Sequence, residues 1–148
     1  MLIKPSAVQR GLIGEIIHRI EKKGLKIVGL KMIQLNDEIL DEHYAHLRQK
    51  NFFEKVKSSM MATPVIAMCI EGMDSVAVVR SMTGATNGRI AAPGTLRGDL
   101  CVSISENIVH TSESIEAARI ELTRFFSQEE IFSYPSSTHA FTYSSDEF

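Results

Sequence analysis

Three groups of residues in this chain have the types and spacing that suit phosphate and nucleophilic chemistry. The first is the stretch from Thr83 to Gly98, which holds Thr86, Arg89, Arg97, four glycines and Pro93, with Arg80 just ahead of it. A segment of about fifteen residues without periodicity is uncommon in a compact domain and is usually functional. Guanidinium forks, a hydroxyl and amides beside glycines are what a polyphosphate needs. The competing reading is a solvated surface loop. The second is His110, expected at the exit of a strand and just before a helix that starts near Ser112 and Glu113. With a reference pKa near 6.5, a histidine held there can act as nucleophile or base, facing a helix N-terminus that favours anions. The third is Lys4, beside Pro5 at a strand end, where an ammonium could reach phosphate or ribose or simply be solvated.

Other reactive side chains carry less. His18 falls on the polar side of the first helix, and His139 sits in an irregular tail. His43 and His46 share one helix, but no third metal ligand is evident, so both read as structural. Cys69 and Cys101 lie far apart, without zinc-ligand neighbours, which excludes a disulfide framework and points to reduced thiols. Neither the Walker A pattern nor Gly-x-Gly-x-x-Gly occurs, so those two nucleotide-binding routes are closed.

The elements that must position these groups follow from the hydrophobic spacing. Leu2-Ile3 reads as a strand end stopped by Pro5. Leu12, Ile13, Ile16, Ile17 and Ile20 recur at helical steps, which predicts one amphipathic helix over Val8–Lys23, closed by Gly24 in a left-handed conformation. Leu25–Leu35 reads as a strand, and Asn36-Asp37 as the cap of a helix to about Arg48. Phe52–Met61 reads as a helix. Pro64–Ile70 is apolar at nearly every position, as a strand covered on both faces would be. Asp74 or Ser75 starts a helix to about Met82. Cys101–Ser105 reads as a strand, and Ser114–Phe126 as a helix with Ile115, Ala118, Leu122 and Phe125 inward. Alternating strands and helices give an α/β or α+β layered fold, and periodicity leaves the sheet's sense open.

The 148 residues contain no internal repeat and no linker, so one domain over 1–148 is expected. Sixteen Lys and Arg against eighteen Asp and Glu leave a net charge of -2, which argues against a protein whose main ligand is nucleic acid or an anionic membrane. No run approaches the ~18 apolar residues of a membrane span. The expected location is the cytoplasm.

Several ordered motifs resemble the nucleoside diphosphate kinase family. Ile3-Lys4-Pro5-Ser6-Ala7-Val8-Gln9-Arg10-Gly11-Leu12 is similar to its opening. Glu42-His43-Tyr44, Phe52-Phe53, Gly84-Ala85-Thr86-Asn87 and Pro93-Gly94-Thr95-Leu96-Arg97-Gly98-Asp99 follow in the family's order. Asn107-Ile108-Val109-His110-Thr111-Ser112-Glu113-Ser114 resembles the family's segment around its nucleophile. The likeness runs from Leu2 to about Tyr134 and leaves the tail, 135–148, divergent.

The resemblance implies a ferredoxin-like βαββαβ core, an α+β fold with a four-stranded antiparallel sheet covered by helices. It implies ping-pong transfer of a γ-phosphoryl group from a nucleoside triphosphate such as ATP to nucleoside diphosphates, through a phosphohistidine at His110. Ser112 and Glu121 would orient the imidazole, with Tyr44 close by. Lys4 and Asn107 would contact the sugar, and Lys4 also the moving phosphate. Arg80, Thr86 and Arg97 would clamp phosphates, and Phe52 and Val56 would meet the base. Mg²⁺ would bind mainly through the nucleotide phosphates, with no protein metal ligand. A homo-oligomer is implied, a hexamer rather than a tetramer. The other readings are a catalytically reduced nucleotide-binding or regulatory member of the fold, and a nucleic-acid binder. An altered His, Arg or Lys would mark the first, and none is altered; a basic stripe would mark the second. Departures are Ser6-Ala7 for Asp-Gly, Gly88 for Pro, Thr111 for Gly and Glu113 for Asp. Of these, a β-branched Thr111 is the one expected to strain a left-handed backbone.

Overall fold

In the computed structural model, which describes residues 1–147, the strand-forming runs meet in one antiparallel sheet. Its strands are β1 (Leu2–Ile3), β2 (Lys26–Ile33), β3 (Val65–Glu71) and β4 (Val109–His110), in the order β2-β3-β1-β4. That order with all pairs antiparallel is the expected ferredoxin-like α+β arrangement. The nearly continuous apolar run of β3 has the predicted cause. Val65, Ala67 and Cys69 enter one core with Leu2, Tyr44 and Phe125, while Ile66 and Met68 enter the other with Ile3, Ile16 and Val109. Each fully buried aliphatic side chain contributes roughly 1.5–3 kcal/mol, so both faces of β3 hold the short β1 in place.

Among the described residues the α-helices are α1 (Pro5–Gln9), α2 (Ile13–Lys22), α3 (Asp37–His43), α4 (Phe53–Met61), α5 (Ser75–Thr83), α6 (Leu96–Leu100), α7 (Ile115–Phe125) and α8 (His139–Thr142). None is long and apolar enough to cross a membrane. Asn36 caps α3 as expected, its side chain accepting from the Ile39 amide at 3.0 Å. Gly24 takes the expected left-handed conformation after α2.

Several expectations are corrected. The single helix over Val8–Lys23 is two, because Gly11 at φ +67° breaks it and the amides of Gly11 and Leu12 turn back to Val8 and Ala7. The first begins at Pro5, where a missing N–H costs nothing. The helix from Asn36 ends at His43, and a 3₁₀ turn, Ala45–Leu47, carries the chain on. Asp74 does not cap α5 through its side chain; it is left-handed, at φ +48°. Cys101–Ser105 is no strand: the Ser103 hydroxyl accepts from the amides of Ser105 and Glu106, which bends the chain, and Val102 and Ile104 face solvent. The irregular stretch is shorter than read, since its end forms α6, capped by Thr95. Ile115, expected inward, is exposed at the first turn of α7. Finally, Thr111 does not take a positive φ; the left-handed residue is Ile108, at φ +62°.

Candidate active site

The pairing of β1 with β4 brings the two ends of the chemistry together. Leu2 stands opposite His110 and Ile3 opposite Val109, and the Lys4 amide then donates to Ile108 O at 2.8 Å. Lys4 therefore leaves β1 beside the strand that carries His110. Its buried ammonium donates to Asn107 Oδ1 at 2.9 Å and to Ser105 O at 3.0 Å. Burial is the main influence on that group and, with Arg97 nearby, lowers its pKa to about 8 against the pull of Glu106.

Arg97 shapes the same strand from α6. Its guanidinium donates through Nε to Asn107 O at 3.2 Å, through Nη1 to Gly84 O at 2.8 Å and through Nη2 to Val109 O at 2.8 Å. Two of those carbonyls flank Ile108, a buried β-branched residue in a conformation that costs about 1–3 kcal/mol. The arginine thus offsets the strain that turns the chain into His110. Of the five donors of a guanidinium, two remain free for another acceptor. Gly88 lets the preceding loop close on this region, because a Cβ there would run into Cys101, and its amide donates to Ser103 O.

His110 has one engaged ring nitrogen. Nε2 lies 3.0 and 3.1 Å from the two carboxylate oxygens of Glu121 on α7, and Ser112 Oγ donates to the same carboxylate at 2.7 Å. Burial lowers the His110 pKa and outweighs the bond to Glu121, so the ring is neutral at pH 7. Burial raises the Glu121 pKa, but the hydrogen bonds from His110 and Ser112 prevail and leave it well below the usual carboxylate range. A neutral imidazole beside a carboxylate keeps its proton on Nε2, which leaves the lone pair on Nδ1. Tyr44 is buried with its ring centroid 6.0 Å from that of His110, and burial raises its hydroxyl pKa.

The remaining expected residues lie around this centre in two groups. Phe52 and Val56 line a small cavity of about 60 Å³ with Lys4, Lys55, Ser59, Ser105 and Glu106. Arg80, Ser112 and Glu121 line a larger cavity of about 720 Å³, whose floor includes Met68, Ile70 and Leu122. The larger cavity reaches the Ser112 and Glu121 side of His110, and the smaller one the Lys4 side. Thr86 is exposed, its carbonyl accepting from Asn107 Nδ2 at 3.4 Å.

His43, read from the sequence as structural only, is packed against the centre. Its ring centroid lies 4.4 Å from that of His110, and a nitrogen of each ring and a Glu121 oxygen lie within 4.8 Å of one another. That is metal-ligand spacing, yet Glu121 is committed to His110 and Ser112, and Arg124 Nη1 points at His43 Nδ1 at 3.2 Å. A cation on the histidine's other nitrogen is the reverse of the acceptor that metal-bound imidazoles use. The available signal was position: His43 stands inside the Glu42-His43-Tyr44 motif, and Arg124 follows Glu121 by one helical turn.

Comparison with known proteins shows the family to which the chain is similar. A family model described as nucleoside diphosphate kinase matches residues 1–131. A nucleoside diphosphate kinase of Parabacteroides distasonis is 56% identical over 148 residues, which is all of this chain and 97% of that one. Nucleoside diphosphate kinase 3 of Homo sapiens is 42% identical over 143 residues, 97% of this chain and 85% of that one. The solved structure of a halophilic nucleoside diphosphate kinase from Halobacterium salinarum in complex with CDP superposes with a TM-score of 0.94 at 41% identity, covering 96% of this chain and 95% of that one.

Proposed function

Because the chain belongs to the nucleoside diphosphate kinase family, we propose that His110 is the residue that carries the phosphoryl group, on Nδ1. The activity is that of a nucleoside diphosphate kinase, transfer of a γ-phosphoryl group from a nucleoside triphosphate to a nucleoside diphosphate. The observation that carries the assignment is the bond between His110 Nε2 and Glu121, which leaves Nδ1 as the free nucleophile. Nδ1 attacks the γ-phosphorus, the bridging P–O bond breaks, and its electron pair leaves with the diphosphate. Nε2 keeps its proton, and the Glu121 carboxylate balances the positive ring that results. In the return half, a terminal oxygen of the acceptor diphosphate attacks, and the N–P electron pair goes back to Nδ1.

Phosphoryl transfer asks mainly for positioning and charge stabilisation. Lys4, Arg80, Thr86 and Arg97 supply these to the phosphates, Lys4 and Asn107 to the sugar, and Phe52 and Val56 to the base. Ser112 orients Glu121, and Tyr44 closes the site beside His110. The clamp contains no carboxylate, which suits Mg²⁺ held by phosphate oxygens and water; the ion supplies charge neutralisation. Incubation with Mg·ATP and no acceptor should leave an acid-labile, base-stable phosphoryl group on His110. A His110→Ala variant that still takes label at the parent rate would overturn the assignment.

A homo-hexamer of 1–148 domains in the cytoplasm is part of the same proposal. Support for assembly comes from β2, a sheet edge whose Leu30 and Met32 are 50% and 57% exposed. The chain covers part of that edge itself, through Phe132 N to Val28 O and Tyr134 Oη to Ile27 O. Light scattering should give six subunits, and a monomer or dimer at micromolar concentration would defeat it.

A further inference from the structure

His43 is enclosed on several sides by the apparatus of the site without belonging to it. Its ring stands edge-to-face on His110 at 75°, and on Phe125 and Tyr44 with centroids 5.1 and 4.6 Å away. Arg124 reaches it from α7, with Nη1 3.2 Å from His43 Nδ1 and Nη2 2.8 Å from a carboxylate oxygen of Glu42. A guanidinium offers donors only, so Nδ1 must accept and the single ring proton sits on Nε2. That Nε2 is buried without a hydrogen-bond partner. A second proton, on Nδ1, would set donor against donor in a closed pocket. Burial first, then the charges of His110, Arg124 and the terminal amino group, outweigh Glu121 and push the His43 pKa down to about 3.

We propose that Arg124 and His43 form a positioning pair: Arg124 donates to Nδ1 and so holds the His43 ring to one tautomer and one orientation, and that ring holds His110 in place and leaves Glu121 to it alone. The proposal rests on His110 being the phosphoryl carrier. Its physical content is competition. The ligand atoms of His43, His110 and Glu121 lie within 4.8 Å of one another, so a charged His43 would draw the carboxylate toward itself. It would also set a cation against a ring that gains positive charge as the N–P bond forms. The charged and titratable groups facing His43 are Glu42 of α3 and Tyr44 just after it, His110 of β4, Glu121 and Arg124 of α7, and the amino group of Met1. Arg124 is the one that donates to its Nδ1.

The test combines kcat/KM against pH with mass analysis of phospho-His110. Arg124→Met should move the acid limb upward by at least about half a pH unit, because Nδ1 of His43 loses the donor that occupies it and is free to take a second proton while His110 is still phosphorylated. The double variant Arg124→Met with His43→Asn should return the limb to the parent position, since Asn does not titrate. Ring ¹⁵N shifts of the parent should report the Nε2–H tautomer of His43 down to about pH 4.5, a readout that needs no variant to fold. An Nδ1–H tautomer, or an Arg124→Met profile that coincides with the parent's, overturns the positioning pair while leaving phospho-His110 intact. A parent with no phosphoryl group on His110 overturns both readings.

Discussion

Lys4, Arg97 and Asn107 are buried and hydrogen-bonded around the His110 strand, whereas Phe52, Arg80 and Thr86 stand exposed at the rim. The buried group is organised before any ligand arrives. Its dipoles and charges already surround His110, so under the proposed assignment little is spent on reorganisation when the phosphoryl group moves. The rim is different. Its long side chains lose rotamer freedom only on contact with ligand, and each contact yields only the surplus over that loss. Damage to the strand should therefore cost stability and kcat together, while damage to the rim should cost KM and leave the fold alone.

Arg97→Met tests that contrast most severely. It removes the guanidinium donor from the carbonyls of Gly84, Asn107 and Val109, of which Asn107 O keeps only the Val109 amide, and releases the strained turn at Ile108. Hydrogen bonds to charged groups contribute about 1.5–3 kcal/mol each, and losses in a buried network reach about 3–5 kcal/mol. The expected fall in Tm is roughly 10 °C, at ~2–4 °C per kcal/mol, with kcat/KM down by about 10³ as the His110 strand shifts. Calorimetry and initial rates check it. A variant of full stability that had lost activity alone would make Arg97 a rim residue after all.

How legible this contrast was in the sequence depends on the kind of residue. Lys4, Asn107 and His110 stand in motifs whose order and spacing survive intact, and the cap at Asn36 and the left-handed Gly24 are local events that a few neighbouring residues decide. The dual role of Arg97 was not legible, because its carbonyl partners, Gly84 on one side and Asn107 and Val109 on the other, come from two segments distant in sequence from each other, and carbonyls have no sequence signature. Cys101–Ser105 misled for a related reason: Val102 and Ile104 alternate as a strand would, yet the turn at Ser103 sends both outward. His43 and Arg124 meet only because α3 and α7 pack on the same face of the sheet, a tertiary fact that no window of residues contains.

A second test concerns Lys4, which belongs to the buried group and, in the proposed role, meets phosphate as an ammonium. Its pKa is lowered to about 8, so the ammonium is present below that pH and is lost as pH rises through it. The kcat/KM of the free enzyme should therefore fall on a basic limb near pH 8. Lys4→Arg, which does not deprotonate in this range, should remove the limb even if it lowers the plateau. A limb that stays at the same pH in that variant would assign the titration to another group.

At the rim, Arg80→Gln should raise KM about tenfold, the value of one charge-assisted contact of ~1.4 kcal/mol, and leave Tm unchanged. Arg80 is exposed on α5, and its side chain makes no hydrogen bond within the described chain whose loss could loosen the fold. A Tm that drops with Arg97→Met's signature would erase the distinction between the two arginines.

The smallest effect is expected at Phe52, and its uniformity matters more than its size. The ring is 45% exposed, and the one carboxylate in the small cavity it lines with Val56 is Glu106, whose two oxygens lie 2.9 and 3.2 Å from Ser59 Oγ, so it is not free to read a base edge in two places. Stacking tolerates every base because each has a π face, and it contributes roughly 1–3 kcal/mol in single-strand binders. Hydrogen-bond readout, by contrast, rejects analogues by about 10⁴–10⁵. Phe52→Leu keeps apolar cover and loses the flat ring, so KM should rise by about fivefold, near 1 kcal/mol, with kcat unchanged. The rise should be equal for purine and pyrimidine diphosphates, whose parent kcat/KM values should themselves lie within about two decades of one another. Deoxyribose forms should react as well, since the sugar contacts proposed for Lys4 and Asn107 still have the 3′-hydroxyl to hold. A panel of ribo- and deoxyribonucleoside diphosphates against one donor measures all of this. A Phe52→Leu penalty confined to one base would show that the rim reads bases by polar contacts, and that the open region is as specified as the buried one.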